Sequence, residues 1–272
     1  MARLHKYLVL TGALLLAGCQ AVNTTNSSAV GVERKQYMFS MLSTDQVNQS
    51  YAQAYQETLQ TAQAKGKLDT RSHNAKRLDA IGKRVIAQVG HFRPDASQWD
   101  WQVNLIDSPE LNANCGPGGK IIFYSGIITK LKLTDDEIAA VMGHEIAHAL
   151  REHSREAMSK AYAMELAKTG LGAVLGIGQD AMMIADTAVQ YGMTLPNSRG
   201  AETEADLIGI ELAARAGYNP NGAVSLWRKM EQASQGAPAE FMSTHPASST
   251  RIANLEQAIP KVMPLYQQAS KR

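Results

Sequence analysis

Gly143-His144-Glu145-Ile146-Ala147-His148 contains the pattern H-E-x-x-H. On a helix, residues four apart are separated by about 40° of rotation, so both imidazoles face one way. Two neutral ring nitrogens one turn apart can ligate a single Zn²⁺. Glu145 follows the first histidine and is placed to take a proton from an attacking water. The bland alternative is a charged helical face that holds no metal. Thr134-Asp135-Asp136-Glu137 reads as a capping box that opens the helix leading into the motif.

A catalytic zinc needs a third protein ligand and an open position. His153 lies nine residues beyond His144, about 180° away if the helix continues. The metzincin spacing is also unmet, because Arg151 stands where Gly is required and Ser154 where His is required. His153 is therefore rejected as a ligand. Downstream, Ser198-Arg199-Gly200-Ala201-Glu202-Thr203-Glu204-Ala205-Asp206 offers Glu202 and Asp206 one turn apart. They share a face with Gly209 and Ala213, small residues suited to close helix packing. Glu202 is the candidate third ligand. Asp206 would hold the far nitrogen of a ligand histidine and fix its tautomer. Glu204 falls about 200° from Glu202 and reads as solvated. The alternative is a helical surface with alternating acids. His245-Pro246 reads either as a turn before a helix or as a residue reaching the metal site. In the second case His245 is a transition-state hydrogen-bond donor or a reversible extra ligand. Arg251 is suited to pair with a buried carboxylate and hold the last helix.

In combination these motifs resemble metallopeptidase family forty-eight, the gluzincins that include the CAAX prenyl protease. The match rests on His144-Glu145-x-x-His148, Glu202-x-x-Ala205-Asp206 after Ser198-Arg199, and His245-Pro246 with Arg251. It extends to Asn112-Ala113 and the Pro117-Gly118-Gly119 to Ser125-Gly126 region, over roughly residues 70 to 260. The resemblance implies a zincin-like domain with one Zn²⁺ per chain on His144, His148 and Glu202, and Glu145 as general base. It makes His245 a site residue and Asn112 and Ala113 substrate-binding. It sets Asp206, Arg199 and Arg251 behind the ligands. The chain lacks the spanning helices of the integral-membrane branch. It looks more like the lipoprotein and periplasmic branch, without the helical-repeat domain that some members carry.

The supporting elements follow from pattern. A helix capped by Thr44 and running to about Lys65 carries Val47, Tyr51, Tyr55 and Leu59 on one face, and a second spans about His73 to Val89. Trp101, Val103 and Leu105 alternate with polar residues as a strand. Gly116-Pro117-Gly118-Gly119 is a turn before a strand at Lys120 to Tyr124. Helices follow near Arg199 to Ala216, after Pro220 and after Ser249. The expected fold is α+β and mostly helical, with a small β-sheet beside the motif-bearing helix. Residues 161 to 193 are apolar but interrupted by Glu165, Lys168, Asp180 and Asp186. They read as buried or site-covering helices rather than a span.

The 272 residues carry a net charge of +2, so no broad basic surface supports nucleic-acid binding. Arg3 and Lys6 precede an apolar run from Leu8 to Ala17, and Leu16-Ala17-Gly18-Cys19 resembles a bacterial lipoprotein box. The expected organisation is a signal peptide over 1–18, a lipidated Cys19 with a flexible tether to residue 32, and a peptidase domain over 33–272. Removing Arg3 and Lys6 from the 27 basic residues leaves as many as the 25 acidic ones, so the lipid itself must supply membrane attachment. Gln20, not Asp, follows the cysteine, which favours the outer membrane facing the periplasm of a Gram-negative bacterium. Cys115 is then the only thiol left and reads as a small residue without a catalytic role.

The leading expectation is a zinc endopeptidase acting on unfolded or misassembled envelope polypeptides. Strand 120–124 is expected to be an edge that pairs with extended substrate. The alternatives are a chaperone-like outer-membrane lipoprotein with a latent zinc site and a cell-wall amidase. The pattern is silent on oligomeric state.

Overall fold

The computed structural model describes residues 19–26, 28–40, 42–169, 198–233, 240–245 and 249–271. The expected signal segment, residues 170–193 of the apolar stretch, and Pro246 lie outside the described residues.

The helix that carries H-E-x-x-H organises the rest. Its capping box forms as expected: Glu137 N donates to Thr134 Oγ1 at 3.3 Å and Thr134 N to Glu137 Oε2 at 2.8 Å. The helix runs over Asp135–Leu150 (α4), and every residue from Glu137 onward is buried. A helix buried all round must be covered on several faces. His73–Ile86 (α2) covers one with Leu78, Ile81 and Val85. Asn221–Ala233 (α7) covers another with Leu226, Trp227 and Met230. Arg199–Arg215 (α6), capped by Ser198, supplies the closest contact. At its centre a Cβ on Gly143 would come within 2.5 Å of the Gly209 carbonyl oxygen. A Cβ on Gly209 would come within 2.7 Å of His144 N. The small-residue face inferred from Gly209 and Ala213 is the crossing itself. Ser249–Ala269 (α9) packs behind α6 through Leu255 and Val262.

A four-stranded sheet flanks α4. It comprises Leu68–Asp69 (β3), Gln102–Ile106 (β4), Ala113–Gly116 (β5) and Lys120–Tyr124 (β6), in the order β3-β4-β6-β5. β4 and β6 are parallel, with Val103 opposite Ile121, and β5 pairs antiparallel with β6, with Asn114 opposite Ile122. Gly118 and Gly119 turn the β5–β6 hairpin at φ of 73° and 83°, which favours glycine. One expectation is corrected here. Lys120–Tyr124 is an internal strand, not an edge. The edge strand beside β6 is β5, whose Ala-Asn-Cys-Gly composition carries no strand pattern. It becomes a strand only by pairing with the apolar β6.

Thr44–Ala64 (α1) lies over the opposite sheet face, where Val47, Tyr51 and Tyr55 meet Ile106, Ile122 and Met158. Its cap is Ser43, one residue before the expected Thr44, and Gln46 completes the box. Met158 belongs to His153–Thr169 (α5). Ser125–Lys130 (α3) and Glu240–Thr244 (α8) complete the set. Among the described residues no helix is long and apolar enough to cross a membrane.

The expected flexible tether is also corrected. Cys19–Val22 (β1) pairs antiparallel with Gln36–Phe39 (β2). Between them Thr25, Val30 and Val32 are buried, and Asn26 N donates to Phe92 O at 2.6 Å. Polar side chains of the segment bond to the domain: Asn23 and Thr25 accept from Arg151, and Thr24 donates to Gln36.

Gly209→Ala tests the helix crossing. The methyl would meet backbone, which cannot swing aside, so unfolding free energy should fall by about 1–3 kcal/mol. Denaturant unfolding reads this directly; an unchanged midpoint would contradict backbone contact at this point.

Candidate active site

Two i,i+4 pairs, one from each crossing helix, face each other. His144 Nε2 and His148 Nε2 are 3.1 Å apart. Glu202 of α6 places Oε2 3.5 Å from the first and Oε1 3.3 Å from the second. The chain following α8 adds His245, whose Nδ1 is 3.2 Å from His144 Nε2 and 3.0 Å from Glu202 Oε1. All four side chains are buried, with ligand atoms within 4.8 Å of one another. Tetrahedral nitrogen and oxygen ligands at about 2.0–2.1 Å from a zinc are separated by about 3.3 Å. The His144, His148 and Glu202 separations fit that spacing. Glu145 Oε1 is a buried oxygen without a hydrogen-bond partner among the described residues, as expected of an atom facing a reacting group. The donor set fits a metal.

Asp206 and Arg251 lie behind His144 and Glu202. Asp206 Oδ1 is 3.0 Å from His144 Nδ1, leaving Nε2 to face the cluster. Arg251 Nε and Nη2 each donate to Asp206 at 2.7 Å, and Nη1 lies 2.6 Å from Glu202 Oε2. Its guanidinium also stacks 3.8 Å from the Trp227 ring centre. Burial works against charge on His144, yet Asp206 and Glu202 raise its pKa to about 9. Burial drives His148 well below its ordinary value. Arg199 is corrected: it stands exposed at the start of α6, and the basic partner of Glu202 is Arg251.

His153 and Glu204 hold roles that local pattern missed. α4 stops at Leu150, and Glu152 adopts a left-handed φ of 49°. The chain reverses, so His153 opens α5 with Nδ1 2.8 Å from His148 Nδ1. His153 thus lies behind His148, and the 180° argument had assumed a continuous helix. Glu204, expected to be solvated, is buried against His153 at 3.1 Å and Arg151 at 2.8 Å. Arg151 is itself fully buried. No glycine announces the break at Glu152, so only a count of buried-type partners around it could have flagged the pair.

Glu145 points to the sheet edge. Its Oε2 accepts from Cys115 N at 3.2 Å, and burial raises its pKa. Oε1 lies 3.5 Å from His245 Nε2. His245 stacks on Phe241 at 4.4 Å, and Phe241 N donates to Leu111 O at 3.1 Å, just before β5. Asn112 and Ala113 lead into that edge: Asn112 O accepts from Tyr124 N, and Asn112 Oδ1 accepts from Ala113 N at 2.9 Å. The antiparallel alternation then turns the backbone polar groups of Ala113 and Cys115 away from β6.

Residues 72–259 match the model of peptidase family M48. The chain belongs to that family. It is 36% identical over 177 residues to the mitochondrial metalloendopeptidase OMA1 of Saccharomyces cerevisiae, covering 62% of this chain and 50% of that protein. To the human metalloendopeptidase OMA1 it is 30% identical over 182 residues, 62% of this chain and 34% of the relative. To the beta-barrel assembly-enhancing protease of Escherichia coli it is 28% identical over 209 residues, 71% and 40% respectively. The chain thus spans half or less of the length of these relatives. The mostly helical domain with a small sheet beside the H-E-x-x-H helix is the zincin-like arrangement expected of the family.

Two acids outside the ligand set predict a pH response. Burial opposes ionisation of Glu204, but His153, Arg34 and Arg151 hold its pKa at about 2. Burial likewise opposes ionisation of Glu156, yet Arg34 and Lys160 hold it at about 2. Both values lie below the ordinary 4.5, so their stabilisation is complete above that pH and is lost as pH falls towards 2. A urea series from about pH 5 to about pH 3 should show a falling midpoint, with a shallower slope in Glu156→Gln. Parallel slopes in the two proteins would contradict this.

Proposed function

We propose that this chain is a zinc metalloendopeptidase of the cell envelope. The observation that carries the reading is the convergence of His144, His148 and Glu202 at tetrahedral spacing, with Glu145 against the edge strand. His144, His148 and Glu202 would hold Zn²⁺, which when bound would supply Lewis acidity toward a peptide carbonyl and lower the pKa of water. Glu145 accepts the proton of the attacking water at Oε1 and passes it to the leaving amine. Its burial and raised pKa suit it to that exchange. His245 Nε2, on the Glu145 side of the cluster, is placed to donate to oxygen as charge develops.

Substrate pairs as an added strand on β5 by donating to the outward carbonyls of Ala113 and Cys115, whose N–H groups are held by Asn112 Oδ1 and Glu145 Oε2. Backbone recognition tolerates many side chains, which suits unfolded or misassembled envelope polypeptides. The Leu16-Ala17-Gly18-Cys19 box supports lipid anchoring at Cys19, outer-membrane attachment and a periplasm-facing domain.

One observation favours a second reading, a chaperone-like lipoprotein with a latent metal site. His245 Nδ1 stands at the fourth corner of the ligand cluster, where it would close the open position.

Glu145→Gln separates the two. The variant should retain metal while cleavage of an unfolded protein such as casein falls by at least about a thousandfold. Biological activity that survives the substitution would favour the binding reading. For the edge strand, methylating alternate backbone amides of a peptide substrate should raise KM about tenfold or more in one register only. Equal KM values in both registers would reject strand pairing.

A further inference from the structure

The N-terminal segment from Asn23 to Gln36 crosses the end of α4 as a strap, and its polar groups enter a buried charge network. Arg151 Nη1 donates to Asn23 Oδ1 at 2.7 Å and Thr25 Oγ1 at 3.0 Å, and Nη2 donates to Arg34 O at 2.7 Å. Gln36 donates to Arg151 O. Arg34 binds Glu156 through Nη1 and Nη2 at 2.7 and 2.8 Å. It also grips Glu204, with Nε on Oε1 and Nη2 3.3 Å from Oε2. These strap residues lie outside the part of the chain matched to the family.

We infer that Arg34, Glu204 and His153 are positioning residues that hold His148 in its metal-binding tautomer, so that the strap sets how tightly the site retains metal. This rests on the reading that His148 is a metal ligand. A carboxylate only accepts hydrogen bonds, so His153 Nε2, 3.1 Å from Glu204 Oε2, carries the proton. A neutral imidazole has one N–H, which leaves His153 Nδ1 an acceptor. His148 Nδ1 at 2.8 Å must then be the donor. That fixes the bare lone pair of His148 on Nε2, the nitrogen that faces His144 and Glu202. The relay works only if the Glu204 carboxylate cannot rotate. Arg151 holds Oε2 at 2.8 Å and Arg34 holds Oε1, so both oxygens are pinned. His144 has its carboxylate, Asp206, in direct contact. His148 reaches an equivalent carboxylate through one intervening histidine.

The test is Zn²⁺ affinity of the full chain, read by competition with a chromogenic chelator. Outer partners of ligand histidines are worth about 10- to 100-fold in metal affinity. His153→Phe should therefore weaken binding about tenfold or more. Arg34→Met should weaken it about threefold or more, because Arg151 still holds one oxygen. The Arg34 side chain is 34% exposed, so this variant keeps the fold testable. Val30→Ala is the control: Val30 is buried in the same strap, and its N donates to Glu211, not to the relay. It should lower the unfolding temperature and leave affinity within about twofold. Wild-type affinity in both His153→Phe and Arg34→Met would overturn the relay. Equal weakening by Val30→Ala and Arg34→Met would reduce the strap to a structural role. A wild-type chain that binds Zn²⁺ no better than His148→Ala would instead sink the metal reading beneath it.

Discussion

Two helix backbones touch at Gly143 and Gly209, and the site depends on that contact. With any side chain there, the axes would separate, and the glutamate and aspartate of α6 would no longer reach the histidines of α4. Each helix presents its chemistry at i and i+4, so the crossing interlocks two pairs that are already aligned. Glu202 meets both histidines at their Nε2 atoms, while Asp206 meets His144 from behind. A single close approach thus places the ligands and part of their support.

Burying this much charge is expensive unless each charge has partners. The structure supplies them in two layers. Arg251, pressed on Trp227, neutralises Asp206 and Glu202 on the α9 side. Arg151 and Arg34 neutralise Glu204 and Glu156 on the strap side. The second layer is built from three segments far apart in sequence: the strap, the chain from Arg151 into α5, and α6, which also carries Glu202. Its geometry is what fixes the protonated nitrogen of His148, which a free imidazole would leave to chance.

The sheet edge and the general-base candidate are joined in a similar way. Cys115 contributes its backbone N–H, not its thiol, and that bond orients one oxygen of Glu145 while leaving the other toward His245. His245 is held by its stack on Phe241, whose backbone is tied to the chain entering β5. β5, Glu145 and His245 are therefore mechanically adjacent.

The amino-acid sequence by itself determined the features that depend on local periodicity. The capping box at Thr134, the shared face of His144 and His148, the pairing of Glu202 with Asp206, and the small face around Gly209 all follow from a 3.6-residue repeat. Tertiary structure decided the rest. His153 turned from a distant residue into the partner of His148 because the helix broke at Glu152, where packing imposed a left-handed backbone on a non-glycine residue. Glu204 became buried because Arg151 and the strap arrived from elsewhere in the chain. Ala113–Gly116 became the edge, and Lys120–Tyr124 an internal strand, because strand order is set by long-range pairing that no local repeat encodes. Local periodicity specifies which residues share a face; only the assembled fold specifies what each face meets.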